Sequence, residues 1–349
     1  MGMATAEPQL RWELEDAPRP QQALFGDLVE RQIGRGEFRG MEFSLVRARS
    51  IINKVDVPWL AFAHSINVYR GCSHACVYCF ARPTHSYLGL DIGDDFDRRI
   101  VVKINAPEVL RAELSPRRWA GEAIAMGTNT DPYQRCEGKF HLTRQVLEVL
   151  VEFANPFSIL TKSTLALRDI DLITEAAQRT EVRIDFSVGT LDEDVWRLTE
   201  PGTPHPRRRL RAVEQFLETG VPCGVLMAPV LPGLSDGPEQ LAEVADACKA
   251  IGVRPAGPVP LHLRPGVKEH VLAWIRQHRP DLAEQYERSY RTAYLPTPQR
   301  KKLAARFREA LGPDAPPKAP VRSLYGKGAR PTPPDAPKVA PTRQLDLGL

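Results

Sequence analysis

Residues 70–79 read RGCSHACVYC and place Cys72, Cys76 and Cys79 on one short stretch of chain. Residues 62–68, FAHSINV, precede it and are typical of a short strand. The cysteines therefore follow the end of a predicted strand, where parallel α/β folds carry their active sites. Three thiolates at this spacing suit three irons of a [4Fe–4S] cube and leave the fourth iron without a protein ligand.

Working outward from the cysteines, the chain alternates strand-like and helix-like segments. The predicted strands are residues 62–68, 99–104, 123–126, 157–160, 182–188 and 224–228, with a weaker one at 256–261. The predicted helices between them are residues 107–114, 142–153, 168–178, 206–218 and 238–250. Such alternation implies right-handed crossovers and a parallel sheet. Six or seven units are too few for a closed eight-stranded barrel, so we expect an α/β fold built as a partial (β/α)6 TIM-like barrel.

The composition along the chain predicts four segments. Residues 1–57 form an N-terminal arm, 58–261 the barrel core, 262–311 a helical C-terminal extension ending in a basic helix at 297–311, and 312–349 a tail. The tail is rich in Pro, Ala, Lys and Arg and has little apolar surface to bury, so we expect it to be disordered.

The cellular location bears on what six cysteines do. The acidic, polar start of the chain has no apolar core of signal-peptide length, and no apolar run approaches membrane-spanning length. The sequence therefore predicts a cytoplasmic protein without a membrane partner. In that reducing compartment, clustered cysteines are more often metal ligands than disulfides. The net charge of +4 permits a nucleic-acid partner without establishing one.

A structural zinc site is the alternative for the cysteines, with His74 or His85 as a fourth ligand. Zinc motifs usually bring two pairs of ligands separated by a dozen or more residues, and the sequence has no second CxxC. Cys136, Cys223 and Cys248 are isolated in the sequence. The pattern favours a single iron–sulfur cluster over zinc.

The motif Cx3Cx2C with an aromatic residue before its last cysteine resembles the signature of the radical S-adenosylmethionine (SAM) superfamily. CSHACVYCFAR at 72–82, VKIN at 102–105 and Thr130-Asp131 narrow the resemblance to the spore photoproduct lyase-like branch. PTHSYLG at 83–89 and GTNTDPYQ at 127–134 are similar to a bacterial subgroup of that branch. The resemblance covers about residues 45–240 and implies reductive cleavage of SAM to a 5′-deoxyadenosyl radical that abstracts hydrogen from a substrate.

The resemblance also implies roles for single residues and a redox partner. Tyr78 would lie near the adenine, Lys162 would pair with the methionine carboxylate, and Ser187 would contact the ribose. An oxygen of Thr130 or Asp131 would accept from the methionine amino group. Alternatively, these two are a helix cap or turn former. A flavodoxin- or ferredoxin-type protein would supply electrons.

The sequence departs from the photoproduct lyases at one position that concerns the substrate. Where those enzymes carry a hydrogen-donating cysteine, this chain has Thr128, which puts repair of spore photoproduct in doubt. Cys136, eight residues downstream, would substitute if its loop folded back over the cluster. The alternative is that Cys136 is a small apolar residue without a chemical role.

Two further features suggest partners. Arg207, Arg208, Arg209 and Arg211 are either a nucleic-acid contact or a solvated helix face. The final peptide QLDLGL, from Gln344 to Leu349, resembles peptides that bind the DNA sliding clamp. We therefore expect a nucleic acid or a nucleotide-derived substrate. The alternatives are a peptide or metabolite as substrate, or a non-catalytic, metal-stabilised protein tethered to the clamp.

Overall fold

The described part of the chain, residues 27–55, 62–115 and 119–317 of this computed structural model, contains eleven strands and eleven α-helices. The strands are β1 (Asp27–Ile33), β2 (Glu42–Arg47), β3 (Ile52–Lys54), β4 (His64–Ile66), β5 (Tyr69–Arg70), β6 (Arg99–Lys103), β7 (Ile124–Met126), β8 (Phe157–Thr161), β9 (Val182–Ser187), β10 (Cys223–Val230) and β11 (Ala256–Pro260). The helices are α1 (Asp94–Arg98), α2 (Ala106–Glu113), α3 (Glu137–Phe140), α4 (Leu142–Glu152), α5 (Ile170–Arg179), α6 (Glu193–Thr199), α7 (Pro206–Glu218), α8 (Pro238–Ala250), α9 (Val267–His278), α10 (Ala283–Ser289) and α11 (Thr297–Leu311).

The main sheet has seven strands in the order β11-β10-β9-β8-β7-β4-β3. Neighbouring strands from β4 to β11 are parallel, and β3 pairs antiparallel with β4 at one edge. Six parallel strands joined through helices confirm the predicted partial (β/α)6 barrel, because the sheet order follows the chain order without closing.

The two faces of the sheet follow from the alternation of side chains along each strand. Phe186 of β9 is fully buried and its ring lies 6.0 Å from that of Phe216 in α7, so this face packs on the helices. Ser187 consequently points to the concave side. In β8 the buried Phe157 and Ile159 alternate with the half-buried Ser158 and Leu160 in the same way.

Residues 99–104 form a strand as predicted, but that strand does not join the barrel. β6 lies in a separate four-stranded sheet of order β1-β2-β6-β5, parallel to β2 and antiparallel to β5. Ile100 and Val102 are fully buried and Val101 is nearly so, which gives β6 the apolar run of a barrel strand. The N-terminal arm therefore supplies strands to both sheets, since β3 joins the barrel sheet.

The C-terminal extension returns to the barrel. The predicted helix at 297–311 is α11, whose buried Leu303, Phe307 and Leu311 belong to the main core. Helices α9 and α10 form a second apolar cluster with the cysteine loop. Most of the predicted disordered tail, from residue 318, and its last six residues lie outside the described residues. Among the described helices, none is long and apolar enough to cross a bilayer.

Candidate functional site

The cysteine loop, residues 71–79, begins at Gly71, whose φ of +83° is one that favours glycine. A Cβ there would lie 2.9 Å from Phe96 O, and the same carbonyl accepts from Cys72 N at 3.0 Å. Cys72 and Cys76 are buried, at 7% and 8% exposure, while Cys79 is partly exposed. Burial raises the pKa of all three thiols, that of Cys76 to about 12. Because thiolates there need a positive charge to compensate them, this donor set fits iron.

The two histidines predicted as alternative zinc ligands have other neighbours. His74 Nδ1 lies 3.3 Å from Asp131 Oδ2, and His85 Nε2 lies 2.9 Å from Arg99 O. Within the described ranges, no three His, Cys, Asp or Glu side chains form a group that could hold a single metal ion.

One side of the cysteine loop is held by the segment after β7, which we call the β7 flank (Thr130, Asp131 and Gln134). Gln134 is fully buried; its Oε1 accepts from Ser73 N at 2.9 Å and its Nε2 donates to Gly71 O at 3.0 Å. Thr130 Oγ1 donates to the same carbonyl at 2.7 Å. These hydrogen bonds pair the buried backbone N–H of Ser73 and carbonyl of Gly71, where the chain leaves β5.

Asp131 connects two strand ends, those of β7 and β8, and the cysteine loop. Its Oδ1 accepts from Thr161 Oγ1 and its Oδ2 from Lys162 N, both at 2.7 Å, next to His74. Burial alone would raise the pKa of Asp131, but His74 and these hydrogen bonds bring it down to about 2. The carboxylate therefore stays ionised and fixes the exit of β8 relative to the cysteines.

Lys162 stands at that exit with its ammonium 5.7 Å from the centre of the Tyr78 ring. Among the described residues, no carboxylate oxygen lies within 4.0 Å of this ammonium. Burial lowers the pKa of Lys162, but the negative charges of Glu200 and Cys76 outweigh it and leave the pKa raised. The group is thus a cation at the mouth of the barrel, placed to receive an anionic ligand.

The opposite side of the loop is held by the α6 flank (Thr199, Glu200 and Gly202, with Arg209 of α7). The Tyr78 hydroxyl donates to Glu200 Oε1. Arg209 is fully buried; it donates to Glu200 Oε2 at 2.5 Å and to Ser187 O at 2.9 Å. Burial alone would raise the pKa of Glu200, but Arg209 and Lys162 hold it below its ordinary value.

Backbone contacts complete the α6 flank. Val77 N donates to Thr199 O, and Gly202 N donates to His74 O, each at 3.0 Å. A Cβ on Gly202 would lie 2.1 Å from Ser73 O, so this close approach requires glycine.

The structure thus brings seven of the eight predicted site residues to one end of the barrel, in the cysteine loop, in the β7 flank and at the exit of β8: Cys72, Cys76, Cys79, Tyr78, Thr130, Asp131 and Lys162. The eighth, Ser187, joins them through the hydrogen bond that its carbonyl accepts from Arg209. Cys136, weighed as a hydrogen donor, is fully buried in the main core instead. Thr128 Oγ1 is hydrogen bonded to the Asn67 side chain.

Sequence reasoning treated Arg209 as part of a solvent-facing or nucleic-acid-binding cluster, and this was wrong. Arg207 pairs with Glu243, and Arg208 and Arg211 are exposed, but Arg209 lies inside the protein. The signal was available, because Arg209, Val213 and Phe216 share one helical face and the last two are apolar. Glu200, Gln134 and Gly202 were missed altogether.

Comparison with known proteins agrees with this geometry. The sequence model of the radical SAM superfamily matches residues 66–246, more than half of the chain. An uncharacterized protein of Mycobacterium tuberculosis is 42% identical over 278 residues, which cover 79% of this chain and 82% of that protein. A spore photoproduct lyase complexed with dinucleoside spore photoproduct superposes with a TM-score of 0.56 at 19% identity, covering 78% of this chain and 80% of that one. A mutant of that enzyme with bound AdoMet and dinucleoside spore photoproduct gives 0.56 at 18% identity, over the same shares.

The structural neighbours share the fold, and the matched segment spans the cysteine loop, Lys162 and both flanks. The resemblance to the spore photoproduct lyase-like branch is confirmed at the level of fold. This chain belongs to the radical SAM superfamily and is an enzyme of that superfamily.

Proposed function

We propose that Cys72, Cys76 and Cys79 hold a [4Fe–4S] cluster and that the chain binds SAM beside it. The observation that carries this proposal is that three thiols, those of the buried Cys72 and Cys76 and the partly exposed Cys79, share one loop beside the Lys162 ammonium, whose charge acts on Cys76 and Cys79. Among the described residues, no carboxylate oxygen lies within 4.0 Å of that ammonium. When bound, the cluster supplies the electron that splits SAM into methionine and a 5′-deoxyadenosyl radical, which abstracts hydrogen from the substrate.

The residues of the mouth have distinct parts in this proposal. Lys162 pairs with the methionine carboxylate, Tyr78 borders the adenine and Ser187 contacts the ribose. An oxygen of Thr130 or Asp131 accepts from the methionine amino group. Thr130 Oγ1 donates to Gly71 O and accepts from Gln134 Nε2, which leaves it one lone pair for this task. In Asp131 the Oδ1 atom already accepts from Tyr133 N and Thr161 Oγ1, so Oδ2, which accepts from Lys162 N, is the oxygen that would serve.

The proposed substrate is nucleic acid or nucleotide-derived. The likeness of fold to an enzyme complexed with a dinucleoside photoproduct supports this class. Thr128 stands where the photoproduct lyases carry a hydrogen-donating cysteine, and Cys136 is buried in the core, so the proposal does not extend to that repair reaction.

The proposed partner is a flavodoxin- or ferredoxin-type protein that supplies electrons. Binding to the sliding clamp through the last six residues stays a prediction, as does a cytoplasmic location.

The experiment is anaerobic reconstitution with iron and sulfide, followed by reduction, addition of SAM and measurement of 5′-deoxyadenosine. We expect cluster absorbance and deoxyadenosine from the wild type and neither from a triple variant with Cys72, Cys76 and Cys79 changed to Ala. A matched control changes Cys223 and Cys248 to Ala, since both lie in the core away from the loop, and should keep the cluster.

If the wild type bound stoichiometric zinc and formed no cluster, the proposal would be wrong. A cluster retained in the triple variant would mean that other residues hold it.

Lys162→Ala tests the contact with SAM separately. We expect normal iron content and roughly tenfold weaker SAM binding, because the variant loses a charged hydrogen-bond partner of the ligand. Equilibrium dialysis measures it.

A further inference from the structure

The rim of the barrel mouth carries a second feature, beyond the last strand. β11 is parallel to β10, so residues 261–264 leave the sheet at the same end as Lys162 and the cysteine loop. Leu261 and Leu263 are buried in the second apolar cluster, at 2% and 1% exposure. His262 and Arg264 alternate with them and consequently face outward.

Aromatic rings lie along this outward face. The His262 and Tyr294 rings stack with centroids 4.4 Å apart and an interplanar angle of 16°. A bridge between the two residues and the bond from Leu263 N to Ala293 O, at 2.9 Å, fix the pair. Tyr294 is 55% exposed, so a further flat ring has room to stack on it.

The face continues to the cysteine loop. The Arg264 guanidinium carbon lies 6.0 Å from the centre of the Phe80 ring, and Phe80 directly follows Cys79. Phe80 is 44% exposed. We name Phe80, His262, Arg264 and Tyr294 the aromatic ledge.

The charge of the ledge is positive. In the part of the chain that the structure describes, no carboxylate oxygen lies within 4.0 Å of the guanidinium of Arg264. Burial, and then the charge of Arg264, lower the pKa of His262, so its ring stacks as the neutral form at neutral pH. A surface of exposed rings with an unpaired guanidinium suits a ligand that is flat and anionic at once.

We propose that the aromatic ledge binds single-stranded nucleic acid, with a base stacked on Tyr294 and a phosphate at Arg264, and leads the strand into the barrel mouth. The inference rests on the proposed function in taking the substrate to be nucleic acid, and it names the surface that recognises it. Stacking gives affinity without sequence preference, because every base has a flat face.

The test is fluorescence anisotropy of a labelled oligothymidine with the full chain, purified anaerobically, across a range of salt concentrations. Tyr294→Ala should weaken binding roughly tenfold, the loss expected for one stacked base. Tyr294→Trp should restore or tighten it. Arg264→Ala should lower the slope of log affinity against log salt by about one. Tyr294 and Arg264 are both at the surface, so the melting temperatures of the three variants should change little.

Two matched controls locate the effect. Tyr87→Ala removes another exposed ring, 69% exposed and outside the ledge, and Arg211→Ala removes an exposed cation of α7. Both should leave the affinity within twofold. Binding that falls in Arg211→Ala and not in the ledge variants would overturn the proposal, as would the absence of oligonucleotide binding by the wild type.

A third result would also overturn it. If the ledge variants lost binding to an acidic flavodoxin and kept oligonucleotide binding, the surface would be the entry point for electrons. The binding assay needs no turnover, so its failure is distinct from failure of SAM cleavage: either result stands without the other.

Discussion

The β7 flank and the α6 flank hold opposite sides of the same loop, but with different chemistry. The β7 flank relies on a neutral amide, a hydroxyl and one carboxylate, and each side chain bonds directly to backbone atoms of the loop or of β8. The α6 flank relies on a buried ion pair, Glu200 with Arg209, which reaches the loop through Tyr78. The neutral bonds of Gln134 and Thr130 can be lost one at a time, whereas removing either member of the buried Glu200–Arg209 pair leaves the other charge unpaired.

The largest expected effect is at the ion pair. Arg209→Ala leaves Glu200 buried without its main cation, and breaking such a pair costs about 3–5 kcal/mol in the free energy of unfolding. Chemical denaturation of the apo chain measures this. The neighbouring exposed Arg208→Ala is the matched control, expected within about 0.5 kcal/mol of wild type. Equal losses in the two variants would mean that Arg209 does not stabilise the fold through a buried ion pair.

The second expected effect is a smaller loss of folding stability at low pH, through Asp131. The pKa of Asp131 is about 2 in the folded chain, against about 3.9 for an unfolded aspartate. Because the folded pKa is depressed, the stabilisation is present above about pH 4 and is lost as the pH falls towards 2, by about 2 kcal/mol. Denaturation curves between pH 5 and pH 2 should show this loss in the wild type and lack it in Asp131→Asn. If the stability of Asp131→Asn fell with acid as much as that of the wild type, Asp131 would not be the source of the acid-dependent stabilisation.

The smallest expected loss of stability is for the hydrogen bond that links the ion pair to the loop. Tyr78→Phe keeps the ring next to Lys162 and removes only the hydroxyl that donates to Glu200. Glu200 still accepts from Arg209, so we expect a loss of about 1 kcal/mol, the net worth of one hydrogen bond. A loss as large as that in Arg209→Ala would show that Tyr78, and not Arg209, supports the carboxylate.

The two flanks also differ in how well the sequence predicts them. The cysteine loop, Thr130, Asp131 and Lys162 are found because local motifs and strand ends mark them. Glu200 belongs to no local pattern, and Arg209 is marked only by the apolar face that it shares with Val213 and Phe216. What joins Glu200 to Arg209 is a contact between the turn after α6 and the buried face of α7. Arg209 stands in a run of arginines, and the usual meaning of such a run, a solvated face, conceals its burial.

The fold shows the same limit. Periodicity predicts that residues 99–104 are a strand, and they are, but it does not predict which sheet they join. An apolar run buried on both faces is typical of a central barrel strand and equally of β6, between β2 and β5. Pairing is decided by tertiary contacts with the arm, whose own sequence has no clear period.

The second apolar cluster has a consequence for chimeric proteins built from this chain. Tyr78 packs there with Leu272 and Ile275 of α9 and Tyr286 of α10, so the helices beyond the barrel cover the cysteine loop. A genetic crossover at residue 261 would separate the loop from that cover and expose apolar surface beside the cysteines. We therefore expect a chimera to keep the site only when it carries the barrel and its C-terminal helices together.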